Sequence, residues 1–388
     1  MRFSVVAHAI GRNLTGNEVY VRNLLRGFDA LDRESDFIAY VSEPGAAQAV
    51  PERFTQKLVS PNPFVRLGWD LSRRLRQDRP DLIHVQYTAP VNCPCPIVVS
   101  VHDVSYLEHP EYFRPARVWQ LKVTVRRTVQ RAERILTPSH FSARQIQKVY
   151  GVDPDKITVV PNAVSAIFRP MPREAARAQV AQRFHVPGPF LLMVGDLQPR
   201  KNQVGLIAAF EQLLRERPEL PHHLVLTGQD SWFAERVHEA VRRSPAAARI
   251  HCTGFVRDEE LLTLYGGCDV FVFPSFYEGF GLPIIEAMAC GRAVACSNQT
   301  ATVEVADGAG ITFDPTSTAA MTRALRDLLL DAELRGRMER LGIQRAHGFQ
   351  WRDAAAKTLE VYYQVANRHN TIGKKAGAGA QASATART

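Results

Sequence analysis

The sequence lacks the segments that would place a chain in a membrane or export it. No run of about eighteen apolar residues occurs among its 388 residues, so the sequence predicts no membrane-spanning helix. The first ten residues, MRFSVVAHAI, carry one arginine and no small-residue cleavage site, which predicts a first strand and not a signal peptide. The 6 cysteines form no C-x-x-C pair, which suits a reducing compartment. Together these absences predict a cytoplasmic protein.

Several motifs of other function classes are also missing. No G-x-G-x-x-G follows an early strand, which argues against a nicotinamide dehydrogenase. No Asp-x-Asp pair stands at a strand end, since Asp153 and Asp155 flank a proline ahead of a strand and predict a turn. We therefore expect neither a metal nor a cofactor. Zinc-finger, RNP and basic-zipper signatures are absent too, so we expect no nucleic-acid partner.

Acidic residues are the minority, because 48 Lys and Arg stand against 39 Asp and Glu, for a net charge of +9. The excess of basic residues lies in the N-terminal half. One group of them belongs to a predicted helix, on the face opposite its apolar stripe. Two interpretations stay open: a solvated helix face, or docking on an anionic membrane at the inner face of the cell membrane. The basic residues concerned are Arg66, Arg73, Arg74, Arg76, Arg79, Arg114, Arg117, Lys122, Arg126, Arg127, Arg131 and Arg134.

Short apolar runs alternate with longer amphipathic segments along the chain, as in FSVVAHA, FIAYVS, DLIHVQY and PIVVSVHD. This alternation predicts parallel sheets covered by helices. A Pro- and Ala-rich segment interrupts it near residues 167–189, and it then restarts with FLLMVG, HLVLTG and DVFVFPS. We therefore predict two tandem Rossmann-like, doubly wound α/β domains that face each other across a cleft. The predicted ranges are 1–170 and 186–349, a helix over 350–368 returning to the first domain, and a disordered tail over 369–388.

The segment FVFPSFYEGFGLPIIEAMACG carries the most chemical information. A buried-type strand ends at Pro274, a glycine loop follows, and Pro283 suits the first turn of a helix. Glu278 lies in the loop and Glu286 in the helix, and two such carboxylates can bind vicinal hydroxyls of ribose or hexose. The free N–H groups of Gly279 and its neighbours at the helix start can bind an anion. The segment therefore predicts a site for a sugar phosphate.

The E-x7-E element resembles that of the retaining GT-B glycosyltransferases of family four, also called group 1, and the resemblance extends over nearly the whole chain. It implies that Glu278 contacts hydroxyls of the donor sugar and that Glu286 binds the ribose of the nucleotide. It also implies that a run of main-chain amides approaches the sugar and phosphates, namely those of Gly279, Phe280, Gly281 and Leu282.

A second element, VGDLQPRKN, follows the first strand of the C-terminal half. Arg200 and Lys201 would neutralise the pyrophosphate that leaves with two negative charges, and the family carries basic residues at this place. Some members have another arginine directly after the strand glycine, where this chain has Asp196. The pyrophosphate would then be bound by fewer cations.

The remaining candidate residues lie in four separate segments. In VSVHDVSY the resemblance implies that His102 lies near the transferred sugar. Gly16 could let the backbone approach the donor phosphates, and Val256 would present backbone groups to the base. Glu304 matches a recurring family glutamate and is a candidate for supporting the donor site.

The expected activity is transfer of a hexose with retention of configuration and without a metal. The donor would be a nucleotide-sugar, mannose from GDP-mannose or glucose from a UDP-sugar, and the acceptor a saccharide or a lipid-linked saccharide of the cell envelope. Alternatives are a nucleotide-sugar binding protein without turnover, a GT-B-fold epimerase, and a phosphorylase-type enzyme. The last would need a pyridoxal lysine and a longer chain.

Overall fold

The computed structural model describes residues 1–11, 15–231 and 233–385 of the chain. Residues 12–14, just before the predicted site residue Gly16, lie outside the described residues. None of the described helices is both long and apolar enough to cross a membrane.

The N-terminal part folds around a parallel sheet of seven described strands in the order β3-β2-β1-β4-β5-β6-β7. The strands are β1 (Arg2–Val6), β2 (Asp36–Val41), β3 (Thr55–Leu58), β4 (Leu82–Gln86), β5 (Ile97–Ser100), β6 (Arg134–Thr137) and β7 (Ile157–Val159). The helices are α1 (Thr15–Leu31), α2 (Pro63–Val65), α3 (Leu71–Asp78), α4 (Ser105–Glu108), α5 (Pro115–Arg131) and α6 (His140–Tyr150).

The C-terminal part folds around a second parallel sheet, of six described strands in the order β10-β9-β8-β11-β12-β13. The strands are β8 (Phe190–Val194), β9 (His223–Thr227), β10 (Ile250–Gly254), β11 (Val270–Phe273), β12 (Ala293–Ser297) and β13 (Ile311–Phe313). The helices are α7 (Arg173–Phe184), α8 (Gln203–Glu216), α9 (Ala234–Arg243), α10 (Asp258–Gly267), α11 (Leu282–Ala289), α12 (Ala301–Ala306), α13 (Thr318–Leu330) and α14 (Ala332–Ala346).

The central strands of both sheets are buried on both faces, which explains their continuous apolar sequences. β11 reads VFVF and β12 reads AVACS, and every residue of both is buried. Separate apolar clusters lie on the two sides of each sheet, as a doubly wound arrangement requires. The predicted fold of two Rossmann-like domains is confirmed. In such sheets, ligands bind beyond the carboxyl ends of the strands.

The last helix, α15 (Trp351–Thr385), leaves the C-terminal part and packs on α1 and the first sheet. Gly27 of α1 allows this contact, because a Cβ there would lie 2.4 Å from the Cβ of Ala355. The helix continues to Thr385, whereas the composition after residue 369 predicts disorder. The segment's alanines and lack of proline favour a helix, whereas Gly373, Gly377 and Gly379 oppose it.

Candidate active site

A cavity of about 800 Å³ lies between the two domains, at the carboxyl ends of strands from both sheets. From the first domain it receives Tyr87 after β4 and His102 after β5. From the second it receives residues that follow β8, β9, β10 and β11. The cavity therefore occupies the position where a pair of doubly wound domains is expected to bind ligands.

Glu278 forms the charged centre of this cavity. It follows β11 in the loop before α11 and is buried. Lys201 donates from Nζ to Oε1 at 2.7 Å, and Arg200 Nη1 lies 3.0 Å from Oε2. Burial alone would raise the pKa of this carboxyl, but the two cations outweigh it and lower the pKa to about 2. Glu278 is therefore ionised throughout the physiological range.

Backbone contacts hold the two cations in this place. Arg200 and Lys201 lie in a 3₁₀ turn, Pro199–Lys201, that follows the loop after β8. The N–H of Phe276 donates to the carbonyl of Arg200 at 2.9 Å. The Nδ2 group of Asn202 donates to the carbonyl of Pro274 at 3.2 Å. The two loops are therefore joined by hydrogen bonds, with two cations and one carboxylate between them.

Asp196 lines the cavity beside these cations. Burial raises the pKa of its carboxyl, and Lys201 opposes that shift. Burial lowers the pKa of Lys201, and Glu278 opposes that shift in turn. The charges of Arg200, Lys201 and Glu278 sum to +1, and Asp196 adds a negative charge when it is ionised, so the cluster attracts an anion most strongly when Asp196 is protonated.

Glu286 lies in α11, at the other end of the same loop-helix unit. Like Glu278, it lines the cavity and is buried. Its partner is the phenol of a tyrosine, whereas the partners of Glu278 are two cations. Tyr265 donates from its hydroxyl to Oε2 at 2.9 Å. Burial raises the pKa of Glu286 to about 7, against the smaller lowering effect of this hydrogen bond. The carboxyl is therefore protonated or ionised depending on small changes of pH near neutrality.

His102 lines the same cavity from the first domain. Its ring packs edge-on against Tyr20, with ring centroids 4.7 Å apart, and against Tyr87 at 5.7 Å. Burial lowers its pKa to about 4, although Asp103 opposes the shift, so the imidazole is neutral at pH 7. Nε2 is buried and has no hydrogen-bond partner in the described part of the chain. A bound ligand could satisfy this nitrogen.

Gly279 lies where the domains meet. A Cβ at this position would lie 2.2 Å from the carbonyl oxygen of His102, closer than atoms can approach. Only glycine fits this contact, which brings loop 274–281, the predicted donor loop, against the segment of His102.

The structure brings most of the predicted residues to the cavity and leaves one outside it. Gly16, Val256, Phe280, Gly281 and Leu282 line it together with the charged residues described above. Glu304 does not line the cavity, because its carboxylate accepts N–H groups from α6 of the first domain.

Several lining residues were not predicted as part of the site, and Tyr87 and Asn162 are two of them. Tyr87 directly follows β4 with φ of 59°, and its place at a strand end was the available signal. Asn162 follows β7 and lines the cavity with a buried Oδ1 that no described residue bonds. Within the described ranges, the cavity included, no group of three His, Cys, Asp or Glu residues is arranged to hold a metal ion.

Comparison with known proteins decides the family. The family described as Glycosyl transferases group 1 matches residues 177–345, and Glycosyltransferase Family 4 matches residues 14–166. O-antigen chain mannosyltransferase B of Escherichia coli is 34% identical over 267 residues, which are 68% of this chain and 69% of that protein. The chain belongs to the group 1 glycosyltransferases. The family predicted from the E-x7-E element is therefore confirmed.

Other relatives of this group 1 glycosyltransferase differ in length or in sequence. The serotype-specific mannosyltransferase WbdA of Escherichia coli is 27% identical over 296 residues, which are 72% of this chain and 36% of WbdA. The Anabaena protein HepE, solved with UDP and glucose, has a TM-score of 0.74 and 18% identity and covers 94% of this chain and 100% of its own. At that identity the likeness is one of fold.

Proposed function

We propose that this glycosyltransferase transfers a hexose from a nucleotide-sugar to a saccharide or lipid-linked acceptor in polysaccharide biosynthesis. Mannose from GDP-mannose is the first choice of donor, because the two relatives named from Escherichia coli are mannosyltransferases. Glucose from a UDP-sugar is the second choice, because HepE was solved with UDP and glucose. The observation that carries the proposal is the buried cluster of Glu278, Arg200 and Lys201 at the cleft.

The cluster suggests a division of roles within the donor site. Arg200 and Lys201 would bind the pyrophosphate and stabilise the charge that develops as it leaves, so that no metal is needed for this task. Glu278 would accept hydrogen bonds from hydroxyls of the sugar, and Glu286 from hydroxyls of the ribose. His102 would hydrogen-bond the sugar through Nε2. Asp196 would limit the cationic character of the phosphate site.

The proposed stereochemistry is retention, by a route on one face of the sugar. The acceptor hydroxyl attacks from the side on which the nucleotide departs, and the leaving phosphate takes its proton. Glu278 is tied to two cations and serves as a hydrogen-bond acceptor and not as a nucleophile. Mass spectrometry of the protein after donor turnover should find no sugar ester on Glu278, and a trapped ester there would contradict this route.

Calorimetric titration with GDP, UDP and ADP tests the donor site. We expect one nucleotide to bind clearly more tightly than the others, and both Glu286→Ala and Lys201→Ala to abolish that binding for separate reasons. Lys201→Ala removes a phosphate contact and Glu286→Ala a ribose contact. Binding of no nucleotide, or binding indifferent to both substitutions, would contradict the site.

We also propose that the first domain docks on an anionic membrane at the cytoplasmic face. α5 carries five basic residues and no acidic one, and large aromatic side chains stand exposed beside the basic groups. Trp119 of α5 is 70% exposed, Trp69 is 60% exposed and Phe64 is 77% exposed. Aromatic rings suit the membrane interface, and basic residues attract anionic lipid.

The loop between β4 and β5 connects these exposed residues into one region. Val91 donates its N–H to the carbonyl of Leu67 at 2.8 Å, and Arg131 Nη1 donates to the carbonyl of Val91 at 2.9 Å. Val91 therefore bridges the segment that contains Trp69 to α5. This contact supports a single docking surface and not two unrelated patches.

Sedimentation with vesicles tests this surface. We expect binding to vesicles that contain about one third phosphatidylglycerol and loss of most of it in the double variant Lys122→Glu, Arg126→Glu, since each basic residue contributes about 1 kcal/mol. The matched control is Arg337→Glu, Arg340→Glu on exposed positions of α14. Equal loss in both variants, or no binding by the wild type, would leave the basic face as ordinary solvation.

A further inference from the structure

The two domains are joined beside the donor site by hydrogen bonds from the first turn of α6. The N–H groups of His140 and Phe141 donate to the two carboxylate oxygens of Glu304, at 2.9 Å and 3.1 Å. Glu304 thus satisfies two N–H groups that a helix start leaves without partners inside the helix. Its negative charge also faces the positive end of the α6 dipole.

The same turn of α6 contacts the donor loop directly. Ser139, the N-cap of α6, donates from Oγ to the carbonyl of Gly279 at 2.7 Å. The hydroxyl of Ser142 lies 3.1 Å from the carbonyl oxygens of both Gly279 and His102. Ser142 is therefore shared between the backbone of the donor loop and that of the histidine segment.

Glu304 is also connected to Glu278 within its own domain. It lies in α12, whose preceding residue Thr300 accepts the N–H of Glu278 on Oγ1 at 3.1 Å. The N–H of Ala301, the first residue of α12, lies 3.4 Å from the carbonyl of Glu278. A shift of α12 would therefore move the backbone that carries the Glu278 carboxylate.

We propose that Glu304 is a positioning residue, which together with Ser139 and Ser142 sets the Glu278 loop against His102 for transfer. The inference rests on the proposed roles of Glu278 and His102 in the donor site. Each of those residues belongs to a different domain, so their separation depends on contacts across the domain boundary. The contacts from α6 to Glu304 and Gly279 supply that registration without touching the nucleotide.

Donor cleavage and nucleotide binding, measured side by side, test this role. In Glu304→Ala we expect the kcat of nucleotide release from GDP-mannose or UDP-glucose to fall about tenfold to a hundredfold, the range for charge-assisted hydrogen bonds. KM and the Kd of the preferred nucleotide should change less than about twofold, because ground-state binding is untouched. Glu304→Gln should recover part of the rate, since its amide oxygen can still accept one of the two N–H groups.

Hydrogen exchange adds a measurement that does not depend on turnover. The amides of His140 and Phe141 should exchange faster in Glu304→Ala than in the wild type. Ser142→Ala removes the hydroxyl that the first domain contributes to the same contact, and it should also lower kcat. Glu333→Ala, at an exposed glutamate in the first turn of α14, is the control and should change neither.

The outcomes separate this proposal from the proposed function. An active wild type with an unchanged kcat in Glu304→Ala, or equal losses in Glu333→Ala, overturns the positioning role alone. A fall in nucleotide affinity as large as the fall in kcat also overturns it, because Glu304 would then act on binding. A wild type that neither binds a nucleotide nor cleaves a donor overturns the proposed function and the positioning role with it.

Discussion

The two glutamates of the donor segment are chemically identical, eight residues apart and both buried, yet their surroundings are opposite. Glu278 contacts two cations, and its pKa falls to about 2. Glu286 contacts the hydroxyl of Tyr265, and its pKa rises to about 7. Burial raises the pKa of both carboxyls, so the partner groups decide the direction. Glu278 is therefore ionised at neutral pH, whereas Glu286 can lose its proton when a ligand binds.

This difference agrees with the proposed division of labour in the donor site. A fixed negative charge at Glu278 keeps Arg200 and Lys201 in place where charge develops during transfer. Glu286 accepts ribose hydroxyls best when ionised, so nucleotide binding and deprotonation of Glu286 should favour each other.

The largest expected effect follows from removing the charged member of the pair. Glu278→Ala should lower the free energy of unfolding at pH 7 by about 3–5 kcal/mol, because two buried cations lose their partner. It should also abolish measurable transfer. Denaturant unfolding and a donor-cleavage assay check both effects. A stable, active variant would mean that Glu278 is not the centre of the site.

The next largest effect follows from removing one cation. Lys201→Ala should lower kcat by about a hundredfold to a thousandfold, the usual loss for one group that stabilises developing charge. It should also raise the pKa of Glu278, because a cation that lowers it is gone. Steady-state kinetics measure the first effect and NMR titration of labelled glutamate the second. An unchanged Glu278 titration would contradict the assigned cause.

A smaller effect comes from neutralising the other glutamate. The folded pKa of Glu286, about 7, exceeds the ordinary value of 4.5. The folded protein therefore binds the proton more tightly, and stability falls as pH rises from 4.5 to 7. Glu286→Gln removes this penalty and should raise the free energy of unfolding by roughly 1–3 kcal/mol at pH 8 and little at pH 4.5. Unfolding curves of both proteins at the two pH values measure this effect. An equal change in the free energy of unfolding at pH 8 and pH 4.5 would contradict the raised pKa of Glu286.

The smallest expected effect is on the pH dependence of nucleotide binding. Between pH 6 and 8 the ionised fraction of Glu286 rises about tenfold for a pKa near 7, so affinity should rise by a similar factor. In Glu286→Gln the affinity should vary little over this range. Calorimetry across the range distinguishes the two, and parallel curves for both proteins would assign the dependence to another group.

Sequence patterns were sufficient for the two sheets and for the charged part of the site. Continuous apolar strands are visible in the sequence, and strand-end loops bring Glu278, Arg200 and Lys201 to one edge. β3 reads TQKL and lies at the edge of its sheet, so its polar residues gave no strand signal. β13 has only three residues, too few for a period.

The position of Glu304 could not be predicted in the same way. Its partners, His140 and Phe141, are main-chain N–H groups about 160 residues earlier in the chain, and a backbone donor leaves no side-chain signature. The contact exists only because the two domains approach each other at Gly279. Local patterns describe each domain but not the registration of one domain on the other.

A crystal structure of the protein with its preferred nucleoside diphosphate tests the central claim most directly. The account predicts the distal phosphate within hydrogen-bond distance of Arg200 and Lys201, and the ribose hydroxyls on the carboxylate of Glu286. A nucleotide bound elsewhere, or in the cleft with its phosphates turned away from both cations, would contradict it.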